Sequence, residues 1–146
     1  MPYVRKYEGF SDEADFFPGT AEMLLSLKAE GYFLGVVTSR CRDELERYFT
    51  KFHLERFFDF IICADDTQLH KPHPEPLYRY AEAAGTKTAS CLYIGDMPTD
   101  MQCADSASMS SGMAGWNPSV MLCPEADYIF HSPEEVIETF TDSRPL

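Results

Sequence analysis

The sequence alternates short apolar runs with segments of helical periodicity from residue 18 to about residue 140, and this alternation constrains the fold more than any other feature. The apolar runs occupy residues 33–37, 60–63, 90–94, 112–116 and 128–130, and helical patterns follow residue 20 and cover 42–52, 77–84, 100–107 and 133–140. Such alternation predicts a parallel sheet with helices on both faces. Ligands bind such sheets beyond the carboxyl ends of the strands.

The size and composition of the chain fit one globular domain. A length of 146 residues suits a single domain, and 45% hydrophobic with 25% charged residues is close to the globular average. No apolar run reaches the roughly 18 residues that a membrane span needs, and the N-terminus lacks the apolar stretch of a signal peptide. We expect residues 1–17 to be the remnant of a preceding segment and residues 18–146 to form the domain.

The net charge and the cysteine content limit the kinds of partner and the cellular compartment that fit this sequence. The net charge is −12, from 24 acidic and 12 basic residues. This balance disfavours nucleic acid and anionic membranes as partners, because both require a basic surface. Five cysteines with no C-x-x-C spacing indicate the reduced thiols of a cytoplasmic protein.

The candidate site residues are the polar groups that follow the predicted strands. Thr38 and Ser39 could hold a phosphate oxygen at a strand-to-helix turn, and Lys71, stiffened by the proline after it, could neutralise a phosphate. Asp96 and Asp100 form G-D-x-x-x-D, whose two hard oxygen ligands suit Mg²⁺. Taken singly, each also has a structural explanation: a helix cap, a solvated lysine, or turn and helix-entry acids.

Other polar residues are less informative. Asp65 and Asp66 also follow a predicted strand, so they belong to the same edge of the sheet. The four histidines show no metal-ligand spacing. His70 and His73 flank the lysine, and we expect them at most to tune its loop.

The order of these residues carries more weight than any one of them. A hydroxyl after one strand, a lysine after the next and G-D-x-x-x-D after the third resemble the signature of the haloacid dehalogenase superfamily, in its phosphoglycolate phosphatase and pyrophosphatase branch. The resemblance spans residues 17 to about 140, through P-G at 18–19, V-T-S-R at 37–40, K-P-H-P-E-P-L at 71–77 and Y-I-G-D at 93–96 with Asp100, Ala104 and Ala107. Ser108 stands where family members often have glycine.

The resemblance implies a Rossmann-like core and a Mg²⁺-dependent phosphohydrolase that acts on a small phosphorylated substrate through an aspartyl-phosphate. Thr38 would bind the transferring phosphoryl group, helped by the Ser39 backbone, and Lys71 would hold that phosphate. Asp96 would ligate Mg²⁺, and Asp100 would support the metal or its waters.

One departure from the family bears on activity. The D-x-D-G-T motif that carries the nucleophile is absent from these residues, and Asp12 and Asp15 have the wrong spacing to replace it. We therefore expect a truncated core without its central first strand and most of its cap, inactive alone, with Mg²⁺ bound weakly or not at all.

The missing strand would leave a central slot in the sheet. Either the flanking strands close on each other, or a second chain fills the slot in a homodimer, or the segment 3–7 inserts. Its sequence, Y-V-R-K-Y, is more polar than a central strand usually is, so this last outcome is the least expected.

Two other functions fit parts of the pattern. A non-catalytic module that binds an anion, or that pairs with a partner chain, would keep the same residues without the nucleophile. A receiver domain also uses Asp, Thr/Ser and Lys on a doubly wound sheet, but it places its acids first and its lysine last, which is the reverse of the order here.

Overall fold

A computed structural model describes residues 3–5, 19–117, 120, 121 and 123–141. The strands are β1 (Tyr3–Arg5), β2 (Leu34–Val37), β3 (Phe60–Ile62), β4 (Leu92–Gly95), β5 (Ser110–Ala114) and β6 (Tyr128–Phe130). The helices are α1 (Thr20–Ala29), α2 (Arg42–Phe52), α3 (Glu75–Ala84), α4 (Pro98–Ser106) and α5 (Pro133–Phe140). Short 3₁₀ turns lie at Leu54–Arg56, Ala64–Asp66 and Thr88–Ser90.

The six strands form one parallel sheet in the order β3-β2-β1-β4-β5-β6. One hydrophobic cluster joins α1, α2 and α5 to the sheet, and a second joins α3 and α4 to it. The predicted α/β architecture, a parallel sheet with helices on both faces, is confirmed. The carboxyl ends of all six strands lie at one edge of the sheet, where the candidate residues were expected.

The centre of the sheet differs from the expectation of a vacant slot. Tyr3–Arg5 pairs with β2 on one side, Tyr3 opposite Leu34, and with β4 on the other, Tyr3 opposite Leu92. The judgement that this segment is too polar to insert was therefore wrong. Three residues suffice because the backbone groups of β2 and β4 need hydrogen-bond partners whatever side chains the inserted strand carries, and tyrosine and valine favour strands.

The inserted strand also changes the expected division of the chain. Residues 3–5, assigned from sequence to a preceding segment, lie within the core sheet. Residues 6–17 lie outside the described part of the chain. The D-x-D-G-T sequence itself has no counterpart in β1, which reads Tyr-Val-Arg.

The strand predicted at 112–116 begins two residues earlier, as Ser110–Ala114. The polar residues Ser110 and Ser111 hid its start from an apolar pattern. Ser111 is nonetheless buried, and its backbone N–H donates to Asp127 at 2.9 Å. This hydrogen bond ties β5 to the segment before β6.

Candidate active site

Lys71 and Asp100 form a buried ion pair at the carboxyl edge of the sheet. Lys71 lies in the loop before α3, and the peptide bond between Lys71 and Pro72 is cis. Asp100 lies in the first turn of α4. The Lys71 Nζ donates to Asp100 Oδ1 at 2.8 Å, and the two side chains are 4% and 0% exposed. The motifs that the sequence placed 29 residues apart thus meet through a direct charge contact.

The second carboxylate oxygen of Asp100 shapes the loop that carries Asp96. Asp100 Oδ2 accepts the backbone N–H groups of Asp96 and Met97, each at 3.2 Å. A Cβ at Gly95 would lie 2.6 Å from the Asp100 Cβ and Cγ, which is why glycine stands before Asp96. Both oxygens of Asp100 are therefore engaged within the protein, one with Lys71 and the other with the backbone of this loop.

Tyr93 is a site residue that sequence reasoning missed. It is fully buried in β4, and its hydroxyl donates to the Val37 carbonyl at 2.9 Å and accepts from Lys71 Nζ at 3.1 Å. The Tyr93 hydroxyl thereby connects the end of β2 to the lysine loop. A buried tyrosine hydroxyl requires a hydrogen-bond partner, but nothing in the sequence identifies that partner.

Thr38 lies directly beyond Val37, at the end of β2, and is buried. Its N–H donates to the Ile62 carbonyl at 3.0 Å, and its Oγ1 accepts from the Arg40 N–H at 3.1 Å. A hydroxyl that accepts one hydrogen bond still has its own proton to donate, which suits a phosphate oxygen. Ser39, the next residue, is exposed at the same edge.

Asp96 is held by Asn117, which, like Tyr93, was not predicted from the sequence. The carboxamide of Asn117, in the turn after β5, donates from Nδ2 to Asp96 Oδ2 at 2.8 Å. The Met121 N–H also donates to the Asp96 backbone carbonyl, at 3.0 Å. A separation of 21 residues without a motif left no signal of this contact.

The lysine loop is braced by Glu75. This carboxylate accepts the backbone N–H groups of Leu69 at 2.9 Å and Gln68 at 3.2 Å, and these hydrogen bonds lower the pKa of Glu75. His73 Nδ1 accepts the Glu75 N–H at 3.1 Å. The loop that presents Lys71 is therefore fixed by its own polar groups, and His73 takes part in this bracing.

Two further groups near the site have structural roles. Burial raises the pKa of the Cys103 thiol to about 12, with Lys71 opposing and Asp100 adding to that shift. This thiol stays protonated and donates to the His73 carbonyl, so it is no nucleophile. Asp66 pairs with Arg42 at 2.6 Å and accepts the Cys63 N–H at 2.7 Å, which anchors the turn after β3.

The donor chemistry of Asp96 fits Mg²⁺. Among the residues that the structure describes, no group of three or more His, Cys, Asp or Glu side chains is arranged to hold a metal. Mg²⁺ is commonly bound by one or two carboxylates together with waters and substrate phosphate, so a single buried carboxylate at this edge suits it.

In the part of the chain that the structure describes, no helix combines the length and apolar character required to cross a bilayer.

The fold and the order of the polar residues at the strand ends define a Rossmann-like α/β core, and comparison with known proteins identifies its family. Residues 2–114 match the model of the haloacid dehalogenase-like hydrolases. The chain belongs to this family.

Curated relatives place the chain near two groups of enzymes. Pyrophosphatase PpaX of Bacillus mycoides is 30% identical over 125 residues, which are 86% of this chain and 56% of the relative. Phosphoglycolate phosphatase of Salmonella choleraesuis is 31% identical over 148 residues, covering 98% of this chain and 56% of the relative. The chain thus spans about half the length of the curated relatives it matches.

Solved structures share the same fold. A HAD phosphatase from Thermococcus onnurineus superposes with a TM-score of 0.74 at 28% identity, covering 84% of this chain and 57% of that one. A HAD-superfamily hydrolase of subfamily IA from Geobacter sulfurreducens gives a TM-score of 0.73 at 27% identity, with 85% and 55% coverage. The resemblance inferred from the strand-end residues is confirmed at the level of family and fold.

Proposed function

We propose that this chain carries the phosphate- and metal-binding part of a phosphatase site that acts on a small phosphorylated substrate. The observation that supports this most is the buried Lys71–Asp100 pair, 2.8 Å apart, beside the Asp96 loop. A desolvated lysine fixed at the carboxyl edge of a parallel sheet is placed where ligands of such sheets bind, and a compact ammonium suits a phosphate oxygen. The relatives named phosphoglycolate phosphatase and pyrophosphatase support the same class of substrate.

Each residue then has a distinct task. Thr38 donates its hydroxyl, and Ser39 its backbone N–H, to phosphate oxygens. Lys71 neutralises phosphate charge from a position set by Asp100 and Tyr93. Asp96 would hold Mg²⁺, which would add positive charge at the phosphoryl oxygens.

Turnover requires a nucleophile that these residues do not provide. The family forms an aspartyl-phosphate on the first Asp of D-x-D-G-T, and this motif is absent from the sequence. Covalent catalysis has no first step without that carboxylate. We therefore propose that the 146-residue chain binds phosphate but hydrolyses no phosphomonoester by itself.

The test is a Mg²⁺-dependent assay with p-nitrophenyl phosphate on the full chain and on Asp96→Asn. We expect both proteins to give the rate of the uncatalysed background. Turnover that survives repurification and disappears in Asp96→Asn would contradict the proposed inactivity and would require a nucleophile elsewhere in the chain.

The absent nucleophile also supports a second function, that of a non-catalytic anion-binding module. Direct phosphate binding in the absence of turnover, persisting in the intact cellular form of the protein, would favour this role. A longer cellular form that contains D-x-D-G-T and hydrolyses phosphate esters would rule it out.

A further inference from the structure

Asn117 makes a contact that neither the sequence motifs nor the family resemblance assigns. It follows β5 in a turn whose backbone is fixed at both ends: the Asn117 N–H donates to the Ala114 carbonyl at 3.1 Å, and the Asn117 carbonyl accepts the Val120 N–H at 3.0 Å. Its side chain is largely buried, with the residue 7% exposed, and Nδ2 lies 2.8 Å from Asp96 Oδ2. The turn after β5 therefore directs an amide donor at the candidate metal ligand.

The chemistry of this donor suits a residue that orients a ligand. The ionised carboxylate of Asp96 only accepts hydrogen bonds, so Asn117 must present its Nδ2 side. An amide is neutral, and it fixes the carboxylate without cancelling the negative charge that a cation requires. A lysine or arginine at the same place would compete with the metal for that charge.

A second, backbone contact restrains Asp96 from the same loop. The Met121 N–H donates to the Asp96 carbonyl at 3.0 Å. Asp96 is thereby held at its side chain by Asn117, at its carbonyl by Met121 and at its N–H by Asp100. The first of these contacts is made to the carboxylate itself.

We propose that Asn117 is the positioning residue for Asp96, and that its hydrogen bond sets the carboxylate orientation in which Asp96 binds a divalent cation. This inference rests on the proposed function, because it takes Asp96 as the metal ligand. Hydrogen-bond partners of metal ligands typically contribute 10–100-fold to metal affinity. We expect Asn117 to act in that range.

The test is Mn²⁺ binding to the full chain, measured by electron paramagnetic resonance, with Mn²⁺ as the probe for the Mg²⁺ site. Asn117→Ala should weaken Mn²⁺ binding at least tenfold. Ser111→Ala is the matched control, because Ser111 is also a buried polar residue and its hydroxyl accepts the Asp127 N–H at 3.1 Å, so its contact does not involve Asp96. Ser111→Ala should lower the melting temperature yet leave Mn²⁺ affinity within twofold.

The variant Asp96→Asn distinguishes a failure of the proposed metal site from a failure of the role proposed for Asn117. If Mn²⁺ binds Asp96→Asn as well as the parent chain, the proposed metal site is wrong. If Asp96→Asn loses binding while Asn117→Ala keeps it within twofold, the role of Asn117 is overturned and the metal site stands.

A measurement on the unmodified protein covers the case in which Asn117→Ala does not fold. The side-chain amide resonances of Asn117 should shift on addition of Mg²⁺, with the same midpoint as the backbone amide of Asp96. Asn117 resonances that stay fixed while the Asp96 resonance moves would overturn the inference.

Discussion

At the scale of single residues, the site depends on the contact between Lys71 and Asp100. Both side chains are almost fully removed from solvent, so neither charge is tolerable without the other. The pair therefore has two consequences that can be measured separately: it fixes the Lys71 ammonium that we propose binds phosphate, and it stabilises the fold.

Replacing Lys71 with methionine should destabilise the protein by about 3–5 kcal/mol, because the Asp100 carboxylate stays buried without its cation. The double variant with Asp100→Asn should recover part of that loss. Lys28→Met is the matched control: Lys28 pairs with Asp59 at 3.3 Å with both side chains about one-third exposed, and its loss should cost less than about 1 kcal/mol. Urea unfolding measures all three, and equal losses for Lys71→Met and Lys28→Met would contradict the buried-pair account.

The cysteines give a prediction that depends on pKa. Burial raises the pKa of Cys63 and Cys91 to about 11 and that of Cys103 to about 12. At pH 8 these thiols stay protonated, and a thiol reagent should modify them only on unfolding. Cys41 and Cys123, which are only partly buried, should be modified in the native protein. Mass spectrometry of peptides after brief labelling identifies the sites, and rapid native labelling of Cys103 would be inconsistent with this structure.

Some of the site residues could be predicted from the sequence, and others could not. Thr38, Lys71, Asp96 and Asp100 could be selected because each follows a predicted strand and their order matches a known pattern. Tyr93 could not, since a tyrosine within a buried strand is indistinguishable from ordinary core until its hydroxyl partner is known. Asn117 had no local signal either, because its contact with Asp96 joins the turn after β5 to the residue that follows β4, and only the folded sheet brings these two together.

At the scale of elements, the end of α4 carries a conformation that suits glycine. Ser108 adopts a φ of 57°, in the left-handed region that costs an L-residue about 1–2 kcal/mol. The family resemblance implied only that glycine is common at this place. The structure supplies the reason.

Ser108→Gly should stabilise the protein by up to about 1 kcal/mol, the relief of φ being partly offset by the greater freedom of glycine in the unfolded chain. Ser106→Gly is the matched control, because the exposed Ser106 ends α4 itself. That change should destabilise by up to about 1 kcal/mol. Thermal unfolding compares the two, and a fall in melting temperature for Ser108→Gly would contradict the assigned conformation.

The loop before α3 should loosen in acid through Glu75. Its pKa is lowered because the folded carboxylate accepts the Leu69 and Gln68 N–H groups. A lowered folded pKa means that the bracing is present above the unfolded pKa, near 4.3, and is lost as pH falls through the folded value. The amide resonances of Leu69 and Gln68 should titrate with a midpoint below the usual pKa of a glutamate.

The matched pair for this loop is Glu75→Gln and Glu82→Gln. Both residues lie in α3, but Glu82 is exposed and braces no part of the loop through the contacts that the structure describes. The acid titration of the loop amides should disappear in Glu75→Gln and persist in Glu82→Gln. Persistence in both variants would assign the titration to another carboxyl group.

At the scale of the whole molecule, the central strand decides whether the sheet is continuous. The pattern of apolar runs predicted the outer strands, but it did not predict β1, because three residues that include a charged arginine are too short and too polar to stand out as an apolar run. Their placement follows from the unpaired edges of β2 and β4, which is a property of the folded sheet. The reason given for a homodimer, an open slot, is thereby removed.

Deleting residues 1–5 should expose those two edges. We expect the shortened protein to melt at a lower temperature and to self-associate, since unpaired strand edges template pairing with other chains. The full chain should remain monodisperse under the same conditions. Light scattering and thermal unfolding make the comparison, and a shortened protein that stays monomeric with an unchanged melting temperature would show that β1 does not hold the sheet together.

The central claim, that one site for phosphate and Mg²⁺ forms at the carboxyl edge of the sheet, is tested most directly by heteronuclear NMR of the full chain. Inorganic phosphate is titrated with and without Mg²⁺ while the backbone amides are followed. We predict saturable, Mg²⁺-enhanced shifts that centre on Thr38, Ser39 and Asp96 and that vanish in Lys71→Met, provided that variant remains folded under the conditions used. Shifts that are absent, or that centre on residues remote from this edge, would contradict the assignment of the site.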